Sequence, residues 1–213
     1  MPKLYLLGGE NVYRQSAREV NELALQDAGQ PLSIAVFPWA RASFDRNYGK
    51  RKLLADYLVG MGAGNVDFIE YSDSQDTIAK KVSASNLVYL TGGLVNALTE
   101  RLKNTNVVSL LRDYHGVVVG RSAGALALCK KCVITCHSNQ KVKLVNGLGI
   151  ADITLKAHYK LAKDEALKLL SQKEKIYCLP SRSAIIYDKG VCEIIGPAYV
   201  FENGEKKTLY SRS

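Results

Sequence analysis

The chain has 213 residues, of which 47% are hydrophobic and 23% charged, a composition typical of one folded domain rather than of a disordered protein. No apolar run approaches the roughly 18 residues that a membrane-spanning helix needs, so we expect no membrane partner. The net charge is +9, but the basic residues are scattered. Their densest clusters, Lys50–Lys52 and Lys206–Lys207, are short and lack interleaved aromatic residues, so we do not expect nucleic acid as a partner.

The N-terminal segment is apolar from Leu4 to Leu7, which is too short for the core of a signal peptide. We therefore expect a cytoplasmic protein, and a monomer or a homodimer. An odd number of cysteines in such a protein argues against a disulfide framework.

Strands and helices are predicted to alternate over the first two thirds of the chain. The predicted strands are Lys3–Leu7, Leu32–Phe37, Val66–Glu70, Leu87–Leu90 and Val117–Val119. The predicted helices are Glu10–Ala28, Ser43–Val59, Ser74–Ala84, Val95–Leu102 and an Ala- and Leu-rich segment after the last of these strands. Strands that are continuously apolar and each followed by a helix indicate a parallel sheet covered on both faces.

The last third differs, because short strands follow one another. A helix is predicted over Lys160–Leu170, and the strands are Ile176–Leu179, Ala184–Tyr187, Cys192–Ile195 and Ala198–Phe201. These strands predict an antiparallel extension at one edge of the sheet. The expected fold is α/β and three-layered, a mostly parallel sheet flanked by helices with antiparallel C-terminal strands, in a single domain over residues 1–213.

The sequence Gly120-Arg121-Ser122-Ala123-Gly124 lies between a run of three valines and the start of a helix. In this context Gly-x-Ser-x-Gly predicts a nucleophile elbow, with Ser122 as the nucleophile of a serine hydrolase. Glycines flank the serine because the turn is tight. A glycine-flanked structural turn or a phosphate cradle would give the same pattern.

A serine nucleophile also needs donors for the oxyanion that forms when it attacks. The N–H of Ala123, at the start of the helix, is one candidate. The second is the N–H of Gly92, in Thr91-Gly92-Gly93 after the strand Leu87–Leu90. A Gly-Gly pair after a strand is also compatible with nothing more than a tight turn.

The base is expected among the three histidines, His115, His137 and His158. His115 precedes the strand that leads to Ser122, so it lies at the wrong end of that strand. His137 lies beyond the following helix. His158 ends the apolar segment from Gly149 to Ala157, and a strand there would place it at a carboxyl end, where the sites of parallel sheets gather.

Three cysteines close in sequence, Cys129, Cys132 and Cys136, precede His137 and suggest a metal or redox cluster. Spacings of three and four residues also describe the buried stripe of a helix running into a strand. We favour buried thiols and predict no metal site.

The order of these motifs resembles the peptidase E (aspartyl dipeptidase) family of serine peptidases, whose fold is that of the class I glutamine amidotransferases. The residues that carry the resemblance are Thr91-Gly92-Gly93, Gly120 to Ala125, His158-Tyr159, Leu179 to Ala184 and Ala198 to Glu205. The resemblance implies a dipeptidase-like hydrolase of short peptides with no metal or organic cofactor. It implies Ser122 and His158 as catalytic residues, and Gly92 and Ala123 as oxyanion donors.

The chain departs from the family where an acidic residue is expected behind the histidine. Ser181 follows Leu179-Pro180, and residues 130 to 148 contain no Asp or Glu. Ser181, Asn139 or Asp152 is therefore the candidate third member of the site. Without a carboxylate, the ion-pair stabilisation of an imidazolium is lost.

Two arginines near the expected site, Arg121 and Arg182, are candidates for binding a substrate carboxylate. The missing carboxylate behind His158 leaves a second hypothesis open, a catalytically weakened or non-catalytic binding or regulatory member of the same fold.

Overall fold

A seven-stranded sheet forms the centre of the protein. The structure is a computed structural model that describes residues 1–41, 49–135 and 141–210. The sheet contains β1 (Lys3–Leu7), β2 (Ser33–Phe37), β3 (Asn65–Phe68), β4 (Leu87–Leu90), β5 (Val117–Arg121), β10 (Ala184–Asp188) and β11 (Val191–Ile195), in the order β11-β10-β1-β5-β4-β2-β3. The strands β1 to β5 are parallel, and β10 and β11 extend one edge in the antiparallel direction.

Helices cover both faces of this sheet. They are α1 (Arg18–Ala28), α2 (Gly49–Val59), α3 (Gln75–Ser83), α4 (Val95–Lys103), α5 (Val107–Asp113) and α6 (Ala123–Leu128), whereas α7 (Asp164–Leu170) packs on a second sheet. Alternate strand residues point to opposite faces, so Tyr5 and Leu7 pack with α1 and α2, whereas Leu4 and Leu6 pack with α3 to α6. This arrangement confirms the predicted three-layer α/β fold.

A second sheet of six strands lies on the α6 side and was not predicted. It contains β6 (Cys129–Thr135), β7 (Val142–Asn146), β8 (Ala151–Lys156), β9 (Ile176–Cys178), β12 (Ala198–Glu202) and β13 (Glu205–Leu209), in the order β13-β12-β9-β8-β6-β7. Its residues Cys129, Ala151 and Leu155 share a buried core with the main sheet. The predicted C-terminal strands are therefore divided between two sheets.

Two predicted helices begin later than expected. The segment Glu10–Ala28 starts with a 3₁₀ turn at Val12–Arg14, because the Asn11 side chain accepts from the N–H of Arg14 and Gln15 then takes a left-handed conformation. Lys160–Leu170 likewise opens with a 3₁₀ turn at Leu161–Lys163. The early part of Ser43–Val59 falls outside the described residues. Among the described helices, none has the length and apolar character needed to cross a membrane.

The topology brings several loops to one edge of the main sheet. The carboxyl ends of the adjacent parallel strands β1, β5 and β4 meet there, followed by Gly8-Gly9, Ser122 and Gly92-Gly93. Chain segments after β8 and β9 reach the same edge, where the N–H of His158 donates to the carbonyl of Gly8 at 2.8 Å. Binding sites of parallel sheets collect at such an edge.

Candidate active site

Ser122 occupies a strained turn between the central strand β5 and helix α6. Its backbone has φ 52° and ψ −102°, a conformation that costs a non-glycine residue on the order of 1–3 kcal/mol. Its N–H donates to the carbonyl of Leu7 at 2.9 Å, and its carbonyl accepts from Leu126 at 2.9 Å. The backbone therefore holds Ser122 with its side chain projecting at the sheet edge.

The two glycines of the turn are required by close backbone contacts. A Cβ at Gly120 would lie 2.6 Å from the nitrogen of Ala125, and one at Gly124 would lie 2.4 Å from the carbonyl oxygen of Leu90. Neither contact is sterically allowed, so the shape of the elbow depends on both residues being glycine.

His158 lies against Ser122. The Oγ of Ser122 is 2.7 Å from Nε2 of His158, within hydrogen-bonding distance. His158 follows β8 in the second sheet and has φ 50°. One side of its imidazole rests on Gly9, where a Cβ would lie 2.2 Å from Cε1. The two side chains thus come from different sheets and meet at one edge.

The other ring nitrogen of His158 faces Ser181 on the loop between β9 and β10. Nδ1 is 3.1 Å from the Oγ of Ser181. The neighbouring N–H of Arg182 donates to the carbonyl of Gly9 at 2.9 Å, which ties this loop to the glycine under the ring. A hydroxyl that accepts from Nδ1–H leaves Nε2 free to accept the proton of Ser122.

The pKa of His158 is lowered from its ordinary value of 6.5, because the ring is partly desolvated and the ammonium groups of Lys156 and Lys160 disfavour the imidazolium. Within the described ranges, the hydrogen-bond partners of the ring are the hydroxyls of Ser122 and Ser181. The histidine is therefore neutral at neutral pH, which is the form that can act as a base.

Gly92 lies next to the elbow. A Cβ at Gly92 would lie 3.5 Å from Cβ of Ser122 and 3.3 Å from the carbonyl oxygen of Arg121. Ala123 is the first residue of α6, where an N–H has no acceptor within the helix. The two predicted oxyanion donors thus belong to segments that flank Ser122.

Two clefts meet at Ser122 and His158. The first, which we call the glutamate cleft, has a volume of about 380 Å³ and is lined by Glu10, Arg121, Gly92 and residues of α2. Glu10 is the one carboxylate among its described lining residues. Its Oε1 accepts from Tyr57 at 2.7 Å and Asn21 at 3.1 Å, which fixes its position.

Sequence reasoning missed Glu10 and Gly9. Both directly follow β1, which was predicted correctly, and residues at the carboxyl ends of parallel strands are candidates for a site. That position was the available signal for Glu10. For Gly9 the decisive contact is with His158, and nothing local in the sequence indicates it.

The second cleft lies on the other side of Ser122 and has a volume of about 880 Å³. We call it the lysine cleft because Lys143, Lys156, Lys160 and Lys163 line it, with Glu100 as the one carboxylate among its described lining residues. Its walls come from the start of α4, from β6 and from the segment that leads to His158.

Other predicted site residues lie elsewhere. Asp152 does not contact His158: it is near the start of β8, is 73% exposed and pairs with Lys130 at 2.9 Å. Arg121 lines the glutamate cleft and lies over the ring of Tyr89 at 5.9 Å. Arg182 is exposed and lines neither cleft. Asn139 lies outside the described residues.

The remaining histidines and the cysteines do not join this site in the part of the chain that the structure describes. His115 borders a depression at the opposite end of the main sheet. Cys129 and Cys132 are fully buried in the core, and no described group of three His, Cys, Asp or Glu side chains could hold a metal ion. Cys136 and His137 fall outside the described residues.

Comparison with known families decides the family of this chain. The model of peptidase family S51 matches residues 5–195. The chain belongs to peptidase family S51. The match covers the elbow, His158 and Ser181, and it confirms the resemblance to peptidase E inferred from the motifs. Among curated proteins, none matches this S51 chain significantly.

Solved structures share the fold of this S51 chain. A peptidase from an acI-B1 Actinobacterium superposes with a TM-score of 0.77 at 19% identity, covering 100% of this chain and 96% of its own. A candidate peptidase E protein from Listeria monocytogenes EGD-e gives 0.68 at 20% identity, covering 99% and 100%. At these identities the likeness establishes the architecture.

Proposed function

We propose that this S51 chain is a serine peptidase that hydrolyses short peptides or a related small amide, with Ser122 as nucleophile and His158 as base. The observation that carries the proposal is the 2.7 Å contact between Ser122 Oγ and His158 Nε2 at a strained elbow. A nucleophile and a base at this distance are what covalent catalysis by serine requires.

The proposed reaction proceeds in two stages. Ser122 Oγ attacks the scissile carbonyl carbon while its proton passes to His158 Nε2, and the carbonyl oxygen becomes an oxyanion held by the N–H groups of Gly92 and Ala123. His158 then gives the proton to the leaving amine as the C–N bond breaks. Water, deprotonated by His158, releases the acyl group from Ser122.

Ser181 takes the place of the usual acidic third member in this proposal. In the catalytic tautomer its hydroxyl, 3.1 Å from Nδ1, accepts from Nδ1–H of His158 and Nε2 is the base. It carries no negative charge, so it stabilises the imidazolium less than a carboxylate would. We therefore expect an active enzyme with a modest rate constant.

Charge in the glutamate cleft suggests how a substrate is bound. Glu10 offers a carboxylate near Ser122 and His158, which suits the free amine of a peptide N-terminus. Basic side chains of the same cleft suit a substrate carboxylate; they are Arg41, Lys50, Arg51 and Arg121. Both features favour a short, charged peptide, with its acyl part in the glutamate cleft.

A screen of a dipeptide library by amine release tests the proposal. We expect cleavage of a subset of dipeptides, and a loss of at least about a thousandfold in Ser122→Ala because the covalent step is removed. Ser109→Ala, an exposed serine on α5, is the matched control and should keep full activity. Equal rates in Ser122→Ala and the parent would contradict the proposal.

The second candidate is a non-catalytic binding member of the family. It is favoured by one observation, that the described residues place no carboxylate against His158. In that case dipeptides bind in the clefts, detectable by calorimetry, and none is cleaved.

A further inference from the structure

Lys156 differs from the other poorly exposed lysines of the protein. Lys131 is paired with Glu174, Lys206 with Asp164 and Lys81 with Asp73. Lys156 is only 6% exposed, and within the described residues its Nζ donates to a single acceptor, the carbonyl of Ala157, at 2.8 Å. No described carboxylate lies within salt-bridge distance of this ammonium group.

Burying a cation without a counter-ion is unfavourable, and it lowers the pKa of Lys156. The ammonium group has three N–H donors, and the one described acceptor uses one of them. Lys156 lines the lysine cleft, so an anion that enters this cleft lies beside a lysine that has no described counter-ion.

We propose that Lys156 binds the free carboxylate of the amino acid that leaves in the first stage of the reaction. The lysine cleft then holds the leaving part of the substrate, and the glutamate cleft holds the acyl part. This proposal rests on the proposed peptidase function and adds the substrate feature that the second cleft recognises.

The position of Lys156 close to His158 in the sequence favours a dipeptide over a longer peptide as the substrate. Lys156 ends β8, two residues before His158, which itself contacts Ser122. A leaving amino acid spans about 3.5 Å per residue beyond the scissile bond, so the carboxylate of a dipeptide stays close to the reacting atoms. A longer peptide carries its carboxylate farther along the cleft.

The other lysines of this cleft strengthen its positive field without forming the binding contact. Lys143 and Lys160 are exposed, and exposed charges are screened by salt. A charge-assisted hydrogen bond to the buried Lys156 is shorter-ranged and stronger. The contact with Lys156 should therefore persist at high salt.

The same contact has a consequence for His158. The positive charge of Lys156 is one cause of the lowered pKa of His158. A substrate carboxylate beside Lys156 offsets that charge and makes it easier for His158 to accept the proton of Ser122. Removing the carboxylate should therefore lower kcat as well as raise KM.

The test compares the dipeptide cleaved fastest by the parent protein with the same dipeptide carrying a C-terminal amide. We expect kcat/KM for the acid to exceed that for the amide by at least about tenfold, at low and at high salt. Lys156→Met, which keeps the length of the side chain, should bring the two rates within about threefold by slowing the acid. Lys130→Met, an exposed lysine paired with Asp152, should leave the ratio unchanged.

Labelling of Ser122 by a fluorophosphonate separates this proposal from the one on which it rests. A parent protein that is labelled and cleaves acid and amide equally overturns the role of Lys156 alone. A parent that is neither labelled nor active overturns both. If Lys156→Met does not fold, as judged by circular dichroism, equal rates for acid and amide in the parent still overturn the proposal, and Lys156→Gln replaces Lys156→Met in testing whether a preference for the acid depends on Lys156.

Discussion

The two halves of the candidate active site are held in different ways. Ser122 belongs to the main sheet, and its position is fixed by backbone contacts that only Gly120 and Gly124 allow. His158 belongs to the second sheet, and it is fixed by the surface of Gly9, one hydroxyl and a backbone hydrogen bond. The nucleophile is thus positioned by sterics, whereas the base depends on a few weak contacts and on nearby lysines.

This difference suggests where the site can be altered. Changes on the Ser122 side should be all-or-none, because a collision within the backbone destroys the elbow. Changes to the polar and charged groups around His158 should be graded, because each group contributes separately to the orientation and the pKa of the ring, whereas a collision at Gly9 displaces the ring outright.

Gly9→Ala should have the largest effect. A Cβ there would lie 2.2 Å from Cε1 and 2.5 Å from Nδ1 of His158, so the ring must move away from Ser122. Because misplacing a catalytic group by about 1 Å costs about a hundredfold, we expect kcat to fall by at least that factor. Gly64→Ala is the matched control, since its Cβ meets nothing closer than 3.5 Å. Retention of activity in Gly9→Ala would show that His158 does not act from the observed position.

Changes at Ser181 should have an intermediate effect. Ser181→Ala removes the acceptor for Nδ1–H, and the loss of one hydrogen bond should lower kcat by up to about tenfold. Ser181→Asp supplies a negative charge, which favours the imidazolium and raises the pKa of His158.

The pH profile of kcat/KM distinguishes positioning by Ser181 from a merely structural role. The acid limb should move to higher pH in Ser181→Asp, and kcat at neutral pH should rise. If the midpoint of the acid limb is the same in Ser181→Asp as in the parent, Ser181 does not face the catalytic base.

Removing the charge of Lys160 should change the pH profile of kcat/KM only slightly. Among the described residues, the polar groups that act on His158 are the hydroxyls of Ser122 and Ser181 and the ammonium groups of Lys156 and Lys160, and the two lysines lower its pKa. The acid limb of kcat/KM should therefore lie below pH 6.5 in the parent, because His158 stays neutral there. Lys160→Met should move the midpoint of this acid limb to higher pH, by a few tenths of a pH unit at low salt and by less at high salt. Lys173→Met, on an exposed loop, is the control; an acid limb above pH 6.5 in the parent contradicts this account.

The inner strands β1, β2, β4 and β5 of the main sheet were predictable from the sequence because they are continuous, mostly buried apolar runs. Strand Lys3–Leu7 was predicted to the residue, and Val117–Val119 gave the position of the elbow. The second sheet was not predicted, because β6 and β7 are half-exposed and contain lysines such as Lys130 and Lys143. Their pairing is between distant segments, which local periodicity does not reveal.

The candidate site was predictable to a similar degree. Motif context pointed to Ser122, and the position of an apolar segment pointed to His158; their contact is observed, and their catalytic roles stay predictions. Preferring Ser181 over Asp152 needed the three-dimensional structure, because β8 runs away from Asp152 for about 20 Å before it reaches His158. The roles proposed for Glu10 and Lys156 depend on which cleft each side chain lines. The clefts are formed by segments of both sheets, so the sequence alone does not reveal them.

Peptide mapping by mass spectrometry after exposure to a fluorophosphonate shows whether His158 activates Ser122 as a nucleophile. We expect one adduct per chain, on Ser122, that is absent in Ser122→Ala and forms much more slowly in His158→Ala. No adduct after long exposure, or an adduct on another serine, would show that Ser122 and His158 do not form an activated nucleophile and base.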